Sequence, residues 1–403
     1  MRTKVMVLSG AKAQIPIIKR LHEYNCEVYD VNLYENSPAF EYADHHAVID
    51  ILDKSACLKY AQDNKVDAVM SEMCDIATPT IAYIAEQIGA PGIGEQMAEL
   101  YTNKFAMREF GIKNGIPTPE YRIYKTKEEA VDFLAYLGKR IIIKPLDSNS
   151  SRGVFTIDSK EDLEKHFDET LSFSHIHKAV LCERYITGTE FTVDGIVTKN
   201  GHISLAVSEK HHYEHNENIA DELFFSHYND RFDYDLLRKT NDMFVDKSGL
   251  KYGLTHAEYK YEDGKFWLIE IGARGGGNYI GSTIVPLMSG VDNYEYIINK
   301  TLGRETNEDL FVDKSLWDRC CVLKFFDTPG NGGVVKNIYG LNFLDACENV
   351  VDYSLNFGVG DTIQPAVNDS ARIGYYIAYG DSGDELRTLM NKIESRFKID
   401  LEK

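Results

Sequence analysis

Two strand-like segments around Asp263-Gly264 constrain the fold of this 403-residue chain more than any other feature. Both segments are rich in aromatic and β-branched residues, and an Asp-Gly pair between such segments is typical of an antiparallel hairpin. Glu258 lies in the first segment and Glu270 in the second. The hairpin register therefore decides whether the two carboxylates share one face of the sheet.

Two registers are compatible with this turn. A two-residue loop would direct the two glutamates to opposite faces. A three-residue loop with Gly264 at positive φ would pair Tyr261 with Lys265 and His256 with Glu270, and would make the two carboxylates diagonal neighbours on one face. We predict the three-residue loop because it separates apolar side chains from charged ones.

In the predicted register the apolar side chains form a core face, consisting of Ala257, Tyr259, Tyr261, Trp267, Ile269 and Ile271. The opposite face collects His256, Glu258, Lys260 and Glu270, with Phe266 and Leu268 among them. A carboxylate surrounded by such bulk needs a cationic partner, because burying an unpaired charge is costly. Ligands that are all oxygen favour magnesium over zinc, so we predict a magnesium site here. Arg274 follows in a glycine-rich turn and can bind a carboxylate or phosphate at two points.

A second charged group lies upstream, where Lys144 ends the apolar strand pattern of residues 140–143. A small polar loop, residues 146–154, follows and contains Gly153. A lysine before such a loop is suited to phosphate binding, although a surface lysine would show the same pattern. The sequence contains no P-loop motif.

Two further acids flank a turn at residues 187–189. Glu183 ends an apolar strand pattern, and Glu190 begins an alternating one. Such an element could bind an adenine amino group and a ribose diol. The alternative is an ordinary hairpin with two exposed glutamates.

The order and spacing of these elements resemble the ATP-grasp superfamily, in particular its carboxylate–amine ligases, the biotin carboxylase-like branch and the bacterial L-amino-acid ligases. The resemblance extends over nearly the whole chain and implies magnesium, with manganese as a substitute. Lys104 and Lys144 would hold the ATP phosphates, and residues 148–153, including Ser150, Ser151 and Gly153, would close over them. The remaining nucleotide contacts would be Glu183, Tyr185, Ile186 and Glu190, with Glu258 and Glu270 as metal ligands.

The same resemblance makes Arg274 the residue that binds the substrate carboxylate and stabilises charge in the transition state. Gly275, Gly276, His212 and Glu72 are further candidates for substrate contact. The chain departs from the family pattern at Gly272, where many members carry an asparagine metal ligand, and at Ser150, where the loop usually has glycine.

The first hundred residues alternate strand and helix patterns, which predicts a parallel sheet with right-handed crossovers. Glu72 and Asp75 follow one strand end, where ligands tend to bind, although acids at such positions are also typical of a surface. We predict an α/β and α+β multidomain fold: a Rossmann-like domain at 1–102, an ATP-grasp domain at 103–310 with a lid at about 121–186, and a C-terminal α+β part at 311–403 that completes the core.

Segment 208–227 contains a group of histidines, namely His211, His212, His215 and His227. Their spacing matches no standard zinc pattern, and we predict a loop over the acceptor-substrate pocket that could place Lys210 or His212 on substrate. The seven cysteines show no C-x-x-C spacing, which indicates reduced thiols.

The net charge of −19 disfavours nucleic acid as a partner. No apolar run approaches the length of a membrane span and no signal peptide is recognised, so we expect a cytoplasmic enzyme. The resemblance leaves a homodimer open.

We expect the enzyme to activate a small-molecule carboxylate as an acylphosphate and to join it to an amine, such as an amino acid, with release of ADP and phosphate. Three alternatives stay open: a bicarbonate-dependent N-carboxylase, a nucleotide-binding protein without activity, and a dinucleotide oxidoreductase. The last is disfavoured because the segment after the first strand lacks a complete G-x-G-x-x-G.

Overall fold

The computed structural model describes residues 2–146, 148, 152–174 and 176–402. Among these residues the strands form four sheets. No helix in this part of the chain is both long and apolar enough to cross a bilayer.

The N-terminal region forms the predicted parallel sheet, with strand order β3-β2-β1-β4. Its strands are β1 (Thr3–Leu8), β2 (Cys26–Asn32), β3 (His45–Val48) and β4 (Ala68–Met70). Its helices are α1 (Ile15–Glu23), α2 (Lys54–Asn64), α3 (Thr78–Ile88), α4 (Glu95–Leu100) and α5 (Lys104–Asn114). The Asn103 side chain caps α5 by accepting from the N–H groups of Phe105 and Ala106, so that Lys104 is the first helical residue.

A small antiparallel sheet follows, with strand order β5-β8-β6-β7. It comprises β5 (Tyr121–Tyr124), α6 (Lys127–Leu137), β6 (Ile141–Pro145), β7 (Phe155–Ile157), α7 (Lys160–Ser172) and β8 (Val180–Arg184). The two helices pack on one face of this sheet around Phe133 and Phe167. Lys144 and Glu183 lie at the ends of β6 and β8.

The largest sheet is antiparallel, and most of it comes from the middle of the chain. Its first elements are β9 (Thr189–Thr198), β10 (Gly201–Tyr213), β11 (Asn216–Phe225), α8 (Tyr234–Ser248), β12 (Gly253–Glu262), β13 (Lys265–Gly272), a π-helical turn (Ile280–Ile284), α9 (Val285–Ser289), α10 (Asn293–Thr301) and β14 (Cys320–Phe325). The last elements of the chain are β15 (Gly333–Tyr339), α11 (Leu341–Ala346), β16 (Val350–Leu355), β17 (Thr362–Ile363), β18 (Gly374–Gly380), α12 (Gly383–Arg396) and β19 (Lys398–Leu401).

C-terminal strands complete this central sheet, whose order is β13-β12-β9-β10-β11-β14-β18-β16. Strands β15, β17 and β19 form the fourth sheet. Helix α8 packs on one face of the central sheet through Leu237 and Phe244. The other face is apolar at Ile196, beneath α9 and α10, and becomes polar toward Asp194 and Glu190 on the same strand. This polar half of the face forms the floor of the candidate site.

Candidate active site

The hairpin of β12 and β13 turns through two residues, so the predicted three-residue loop is wrong. Asp263 and Gly264 both have positive φ, 53° and 76°, and Glu262 pairs with Lys265. The register then shifts by one residue, between the Tyr259–Leu268 pair and the next pair. This β-bulge places Glu258 directly opposite Glu270, so the predicted shared face of the two carboxylates is confirmed by a different register.

The two-residue turn also changes which side chains of β13 form the apolar face, so the predicted face is wrong there. Phe266 and Leu268 are buried in the core, because the two-residue turn sets them opposite Tyr261 and Tyr259. Trp267 contacts Arg184, and Ile269 lines the site. The aromatic and β-branched pattern could not locate the bulge, which adds one residue to one strand only.

Each of the paired glutamates is bound to a lysine. The Nζ of Lys104 lies 2.8 Å from Oε1 of Glu270, and the Nζ of Lys210 lies 3.1 Å from Oε1 of Glu258. Burial favours the neutral form of Glu258, but Lys210 and His256 hold its pKa well below the usual range. Glu258 therefore remains ionised in the site.

These two carboxylates fit a hard divalent cation. Ionised oxygen ligands suit magnesium, which commonly takes one or two protein carboxylates and completes its coordination with phosphate oxygens and water. Within the described residues no cluster of three or more His, Cys, Asp or Glu side chains could hold a metal by itself. A cation on this pair would complete its coordination with water or with oxygens of a bound ligand.

A cleft of about 940 Å³ lies between the small sheet and the central sheet. Glu183 is buried at its end, with Lys144 Nζ 2.9 Å from its Oε2 and Arg108 bonded to its Oε1. Burial would raise the pKa of Glu183, but Arg108 and Lys144 lower it to about 2. The alternatives of an exposed glutamate and a surface lysine are therefore wrong for Glu183 and Lys144.

Arg108 is a site residue that sequence reasoning missed. It is fully buried, and its Nη2 donates to the carbonyl of Ile269, the bulged residue, at 2.6 Å. Its position four residues after Lys104 places both side chains on one face of α5, which is the signal that could have identified it. Through these two side chains α5 holds both Glu270 and the bulge.

Glu190 lies in the same cleft but on the central sheet, so the alternative of a simple hairpin with Glu183 is wrong. Its carboxylate is bonded to Lys210, and the Nε2 of His212 lies 3.4 Å from its Oε2. Burial opposes ionisation, but Lys210 and His212 lower the pKa of Glu190 to about 2. His212 is placed at this carboxylate and not among the residues that line the second cleft.

The remaining predicted nucleotide contacts are distributed around this cleft. Tyr185 and Ile186 line it where the chain leaves β8. Gly153 has a φ of 69°, and a Cβ there would lie 2.7 Å from the ring of Phe173, so this position requires glycine. The carbonyl of Ser148 accepts from Lys104 at 3.0 Å. Ser150 and Ser151 lie outside the described residues.

A second cleft, of about 1490 Å³, adjoins the first. Both clefts are lined by Glu258, Glu270 and Lys210, so they meet at the paired glutamates. On the side away from the first cleft, the second cleft is lined by residues that follow the carboxyl ends of two N-terminal strands, namely Ser9 after β1 and Asp75 after β4. Two ligands bound in the two clefts would therefore approach each other over the carboxylate pair.

Arg274 lies in the second cleft and forms a two-point ion pair. Its Nε and Nη2 are 2.8 and 2.5 Å from the two carboxylate oxygens of Asp75, and its Nη1 donates to the Gly275 carbonyl at 2.9 Å. A Cβ at Gly276 would lie 2.5 Å from the Asp194 carboxylate, so the glycine turn permits close packing there.

Glu72 is buried, so the alternative of a surface acid is wrong for this residue. Its backbone carbonyl accepts a hydrogen bond from the Gly275 N–H at 2.8 Å. Its Oε1 would lie 2.4 Å from a Cβ at Gly275 and 2.1 Å from a Cβ at Gly281, so a side chain at either position would collide with it. Burial, partly offset by Tyr294, raises the pKa of Glu72 to about 8. The glycine turn is therefore packed directly on a carboxyl group that the interior keeps largely protonated at neutral pH.

The histidine-rich segment does not form the predicted loop. It forms the end of β10 and all of β11, two interior strands of the central sheet, which are joined by a turn at Glu214 and His215. Lys210 alone among its candidate residues faces both clefts.

Two parts of the chain match known protein families. A model of a family described as an ATP-grasp domain matches residues 137–282, and a model described as L-amino acid ligase C-terminal domain 2 matches residues 325–402. The formate-dependent phosphoribosylglycinamide formyltransferase of Corynebacterium efficiens is 27% identical over 210 residues, which cover 49% of this chain and 51% of that protein. The chain thus spans about half the length of this relative.

Two solved structures resemble the whole chain. The L-amino acid ligase from Bacillus licheniformis has a TM-score of 0.81 at 19% identity, over 100% of this chain and 99% of that one. The biotin carboxylase domain dimer of the Hydrogenobacter thermophilus 2-oxoglutarate carboxylase, in complex with MgADP, ADP and bicarbonate, has a TM-score of 0.74 at 16% identity, over 99% and 91%. At these identities the likeness establishes a shared fold.

Proposed function

Since residues 137–282 match the ATP-grasp domain family and residues 325–402 match an L-amino acid ligase C-terminal domain, we propose that the chain is an ATP-dependent ligase that joins a carboxylic acid to an amine. The observation that carries this proposal is the meeting of the two clefts at Glu258 and Glu270. A nucleotide in the first cleft and an acid held by Arg274 in the second would face each other there. Phosphoryl transfer depends mainly on such positioning and on charge stabilisation.

In this proposal the first cleft binds ATP. The adenine amino group would contact Glu183 and the backbone at Tyr185 and Ile186, and the ribose hydroxyls would donate to Glu190. The triphosphate would extend toward Lys104 and Lys144. Both lysines are bonded to carboxylates, so they would share their charge between these carboxylates and the phosphates of ATP.

Glu258 and Glu270 would hold magnesium, or manganese in its place, together with phosphate oxygens. Such a cation neutralises charge on the β- and γ-phosphates when it is bound. Gly272 offers no third ligand from the hairpin, which is consistent with a cation that depends on the nucleotide for most of its coordination.

The chemistry would proceed in two steps. A substrate carboxylate oxygen, oriented by Arg274, attacks the γ-phosphorus; the bond to the β-phosphate bridging oxygen breaks, and ADP leaves. The amine then attacks the carbonyl carbon of the acylphosphate, phosphate leaves, and the nitrogen releases a proton. Arg274 would stabilise the anionic oxygens in both steps, with Glu72, Gly275 and Gly276 shaping the adjoining wall.

The test is product analysis with MgATP and a panel of small carboxylic acids and amines. We expect ADP, phosphate and an amide in equal amounts, only when acid and amine are both present. Glu270→Ala should lower turnover by about 100- to 1000-fold, the scale for one lost charge-stabilising group. Asp263→Asn, at the exposed tip of the same hairpin, is the matched control and should retain activity. AMP and pyrophosphate as products would contradict the proposal.

Two alternatives give different results in the same assay. A bicarbonate-dependent N-carboxylase would turn over ATP with bicarbonate and an amine but with no added acid. A nucleotide-binding protein without activity would bind MgATP and release no ADP.

We also propose that the protein is cytoplasmic and forms a homodimer. Sedimentation analysis of the purified protein would test the homodimer.

A further inference from the structure

Arg108 connects the wall of the first cleft to the main chain next to Glu270. Its Nε is bonded to the Glu183 carboxylate, and its Nη2 donates to the Ile269 carbonyl at 2.6 Å. The side chain is fully buried, so both bonds form in an environment of low dielectric constant, where they are strong. Ile269 directly precedes Glu270, one of the two candidate metal ligands.

The bulge in β13 is held from the outer edge of the central sheet. β13 is the edge strand, so one row of its backbone groups has no neighbouring strand among the described residues. Helix α5 and the segment after it cover this edge. The Pro117 carbonyl accepts from the Leu268 N–H at 3.0 Å, and Arg108 donates to the carbonyl of the next residue, Ile269. These two bonds lie where the register of the hairpin shifts.

The position of the bulge determines where the Glu270 side chain points. Side chains alternate along a strand, so without the shift Ile269 would pair with Glu258 and Glu270 would point to the core. With the shift, Glu270 pairs with Glu258. Residues 268–270 include no glycine and none of them has a positive φ, so no local backbone preference fixes the bulge there.

A magnesium ion on the paired glutamates would be sensitive to this placement, because magnesium requires nearly ideal octahedral geometry. Cationic side chains also act on the two carboxylates already, namely Lys104, Lys210, His256, Arg274 and Arg372. A magnesium ion has to compete with this positive charge. Its binding therefore depends on both carboxylates reaching it at the same time.

We propose that Arg108 is a positioning residue for the magnesium ion. By holding the Ile269 carbonyl it fixes the bulge that turns Glu270 toward Glu258. By holding Glu183 it connects the bulge to the wall of the first cleft. Arg108 is not among the described residues that line either cleft, so it acts through these neighbours. The inference rests on the proposed function, in which the two carboxylates bind magnesium together with the nucleotide.

A simpler role for Arg108 would be to neutralise the buried Glu183 and so to stabilise the fold. The two roles differ in what magnesium adds to nucleotide binding. If Arg108 only neutralises Glu183, its replacement weakens nucleotide binding equally with and without magnesium. If it positions Glu270, its replacement removes the part of the affinity that depends on magnesium.

The experiment measures by calorimetry the binding of a non-hydrolysable ATP analogue, adenylyl imidodiphosphate, once with magnesium and once with EDTA. The ratio of the two dissociation constants is the magnesium gain. We expect a gain of about 10- to 100-fold for the unmodified protein, the scale of one or two bonds between charged groups.

Arg108→Lys should lower the magnesium gain about 10-fold and change the metal-free dissociation constant by less than about threefold. The lysine keeps a positive charge beside Glu183, but its one nitrogen cannot occupy the positions of both Nε and Nη2. Arg238→Lys is the matched control. Arg238 also donates to a backbone carbonyl and pairs with an acid, but it lies on α8, so this variant should keep the gain.

Deletion of Ile269 is the second variant, because it removes the bulged residue and leaves the other pairs of the hairpin in register. Regular alternation then places Glu270 opposite Glu258 without help from Arg108. The overall affinity should fall with the loss of a side chain that lines the first cleft, but the magnesium gain should persist. Arg108→Lys should lower the gain no further when it is combined with this deletion.

The inference fails if Arg108→Lys keeps the full magnesium gain, if it weakens binding equally with and without magnesium, or if the deletion of Ile269 abolishes the gain. If Arg108→Lys does not fold, the deletion variant decides alone. An unmodified protein without a gain would reject the magnesium site and the inference with it. The proposed function has a separate criterion, the release of ADP. A gain that depends on Arg108, combined with no ADP release under any condition, would uphold the inference and reject the ligase.

Discussion

The two clefts differ in how their buried charges are compensated. In the first cleft the buried Glu183 carboxylate is bonded to both Arg108 and Lys144. In the second cleft Asp75 is the one acid within ion-pair distance of Arg274 among the described residues. The Oε1 of Glu72, which lies behind the glycine turn at Gly275, has no hydrogen-bond partner in the same part of the chain. Glu183 therefore has two cationic partners, whereas Arg274 is matched by one carboxylate.

This difference indicates which ligand supplies the charge. In the proposed function, a triphosphate would bring negative charge to Lys104 and Lys144, which carboxylates hold in place beforehand. A ligand in the second cleft meets a cation that is already matched, so it must be compensated from its own structure or from the nucleotide. Variants that remove a single charge from the first or the second cleft can test this difference.

The largest effect is expected from Arg108→Met. It would leave the buried Glu183 with Lys144 as its only cation and free the carbonyl of the bulged Ile269. Breaking a buried ion pair from one side costs about 3–5 kcal/mol, and we expect this loss in the free energy of unfolding measured in urea.

Arg238→Met is the matched control for this measurement. Arg238 also donates to a backbone carbonyl, that of His227, and pairs with an acid, Asp235, but its side chain is 17% exposed and lies on α8. We expect a loss of about 1 kcal/mol, as for an ordinary hydrogen bond. Equal losses of unfolding free energy in the two variants would show that the Arg108–Glu183–Lys144 group stabilises the fold no more than an ordinary hydrogen bond does.

A smaller effect of opposite sign is expected from Glu72→Gln. The folded protein raises the pKa of this acid to about 8, above its ordinary value of 4.5, so folding stability falls as pH rises from about 4.5 to 8. The amide cannot ionise and escapes this loss. Relative to the unmodified protein, the variant should gain on the order of 3 kcal/mol between pH 5 and pH 8.5.

Thermal unfolding at the two pH values measures this gain, and pH 5 serves as the internal control because both side chains are neutral there. A relative stability that does not change between the two values would mean that Glu72 is ionised in the folded protein. The glycine turn that follows Arg274 would then pack on a buried negative charge.

The sequence was sufficient to place the charged residues of the first cleft in the fold, because they lie at strand ends and at a helix start that local patterns reveal. Lys144 and Glu183 end apolar runs, and Lys104 opens α5. The parallel N-terminal sheet followed in the same way from alternating strand and helix patterns.

The rest depended on packing between distant segments. The β-bulge at Ile269 is held by Arg108, a residue more than one hundred positions earlier in the chain, so no pattern within the hairpin could predict it. The Asp75–Arg274 pair likewise joins two regions whose contact is set by the docking of the N-terminal sheet region. The periodic spacing of apolar residues predicts a strand or a helix, but it does not predict which side chains of distant elements are in contact.

The smallest of these effects is expected at His256, where the two clefts meet. Its Nδ1 lies 2.9 Å from Asp194 and its Nε2 3.9 Å from Glu258, while Arg274 adds an unfavourable positive charge nearby. Burial would lower its pKa, but Asp194 and Glu258 raise it to about 9.

Because this pKa exceeds the ordinary value of 6.5, the protonated imidazole stabilises the fold fully below about pH 6.5 and loses that contribution as pH rises through 9. His256→Gln should therefore be less stable than the unmodified protein at pH 6 by about 2 kcal/mol more than at pH 9.5, measured by urea unfolding. His46→Gln, at an exposed position on β3, is the control for replacing an imidazole by an amide. If the difference for His256→Gln were the same at both pH values, the imidazole would be neutral in the folded state. The buried Asp194 carboxylate would then lack the cation that His256 supplies beside the Glu258–Glu270 pair.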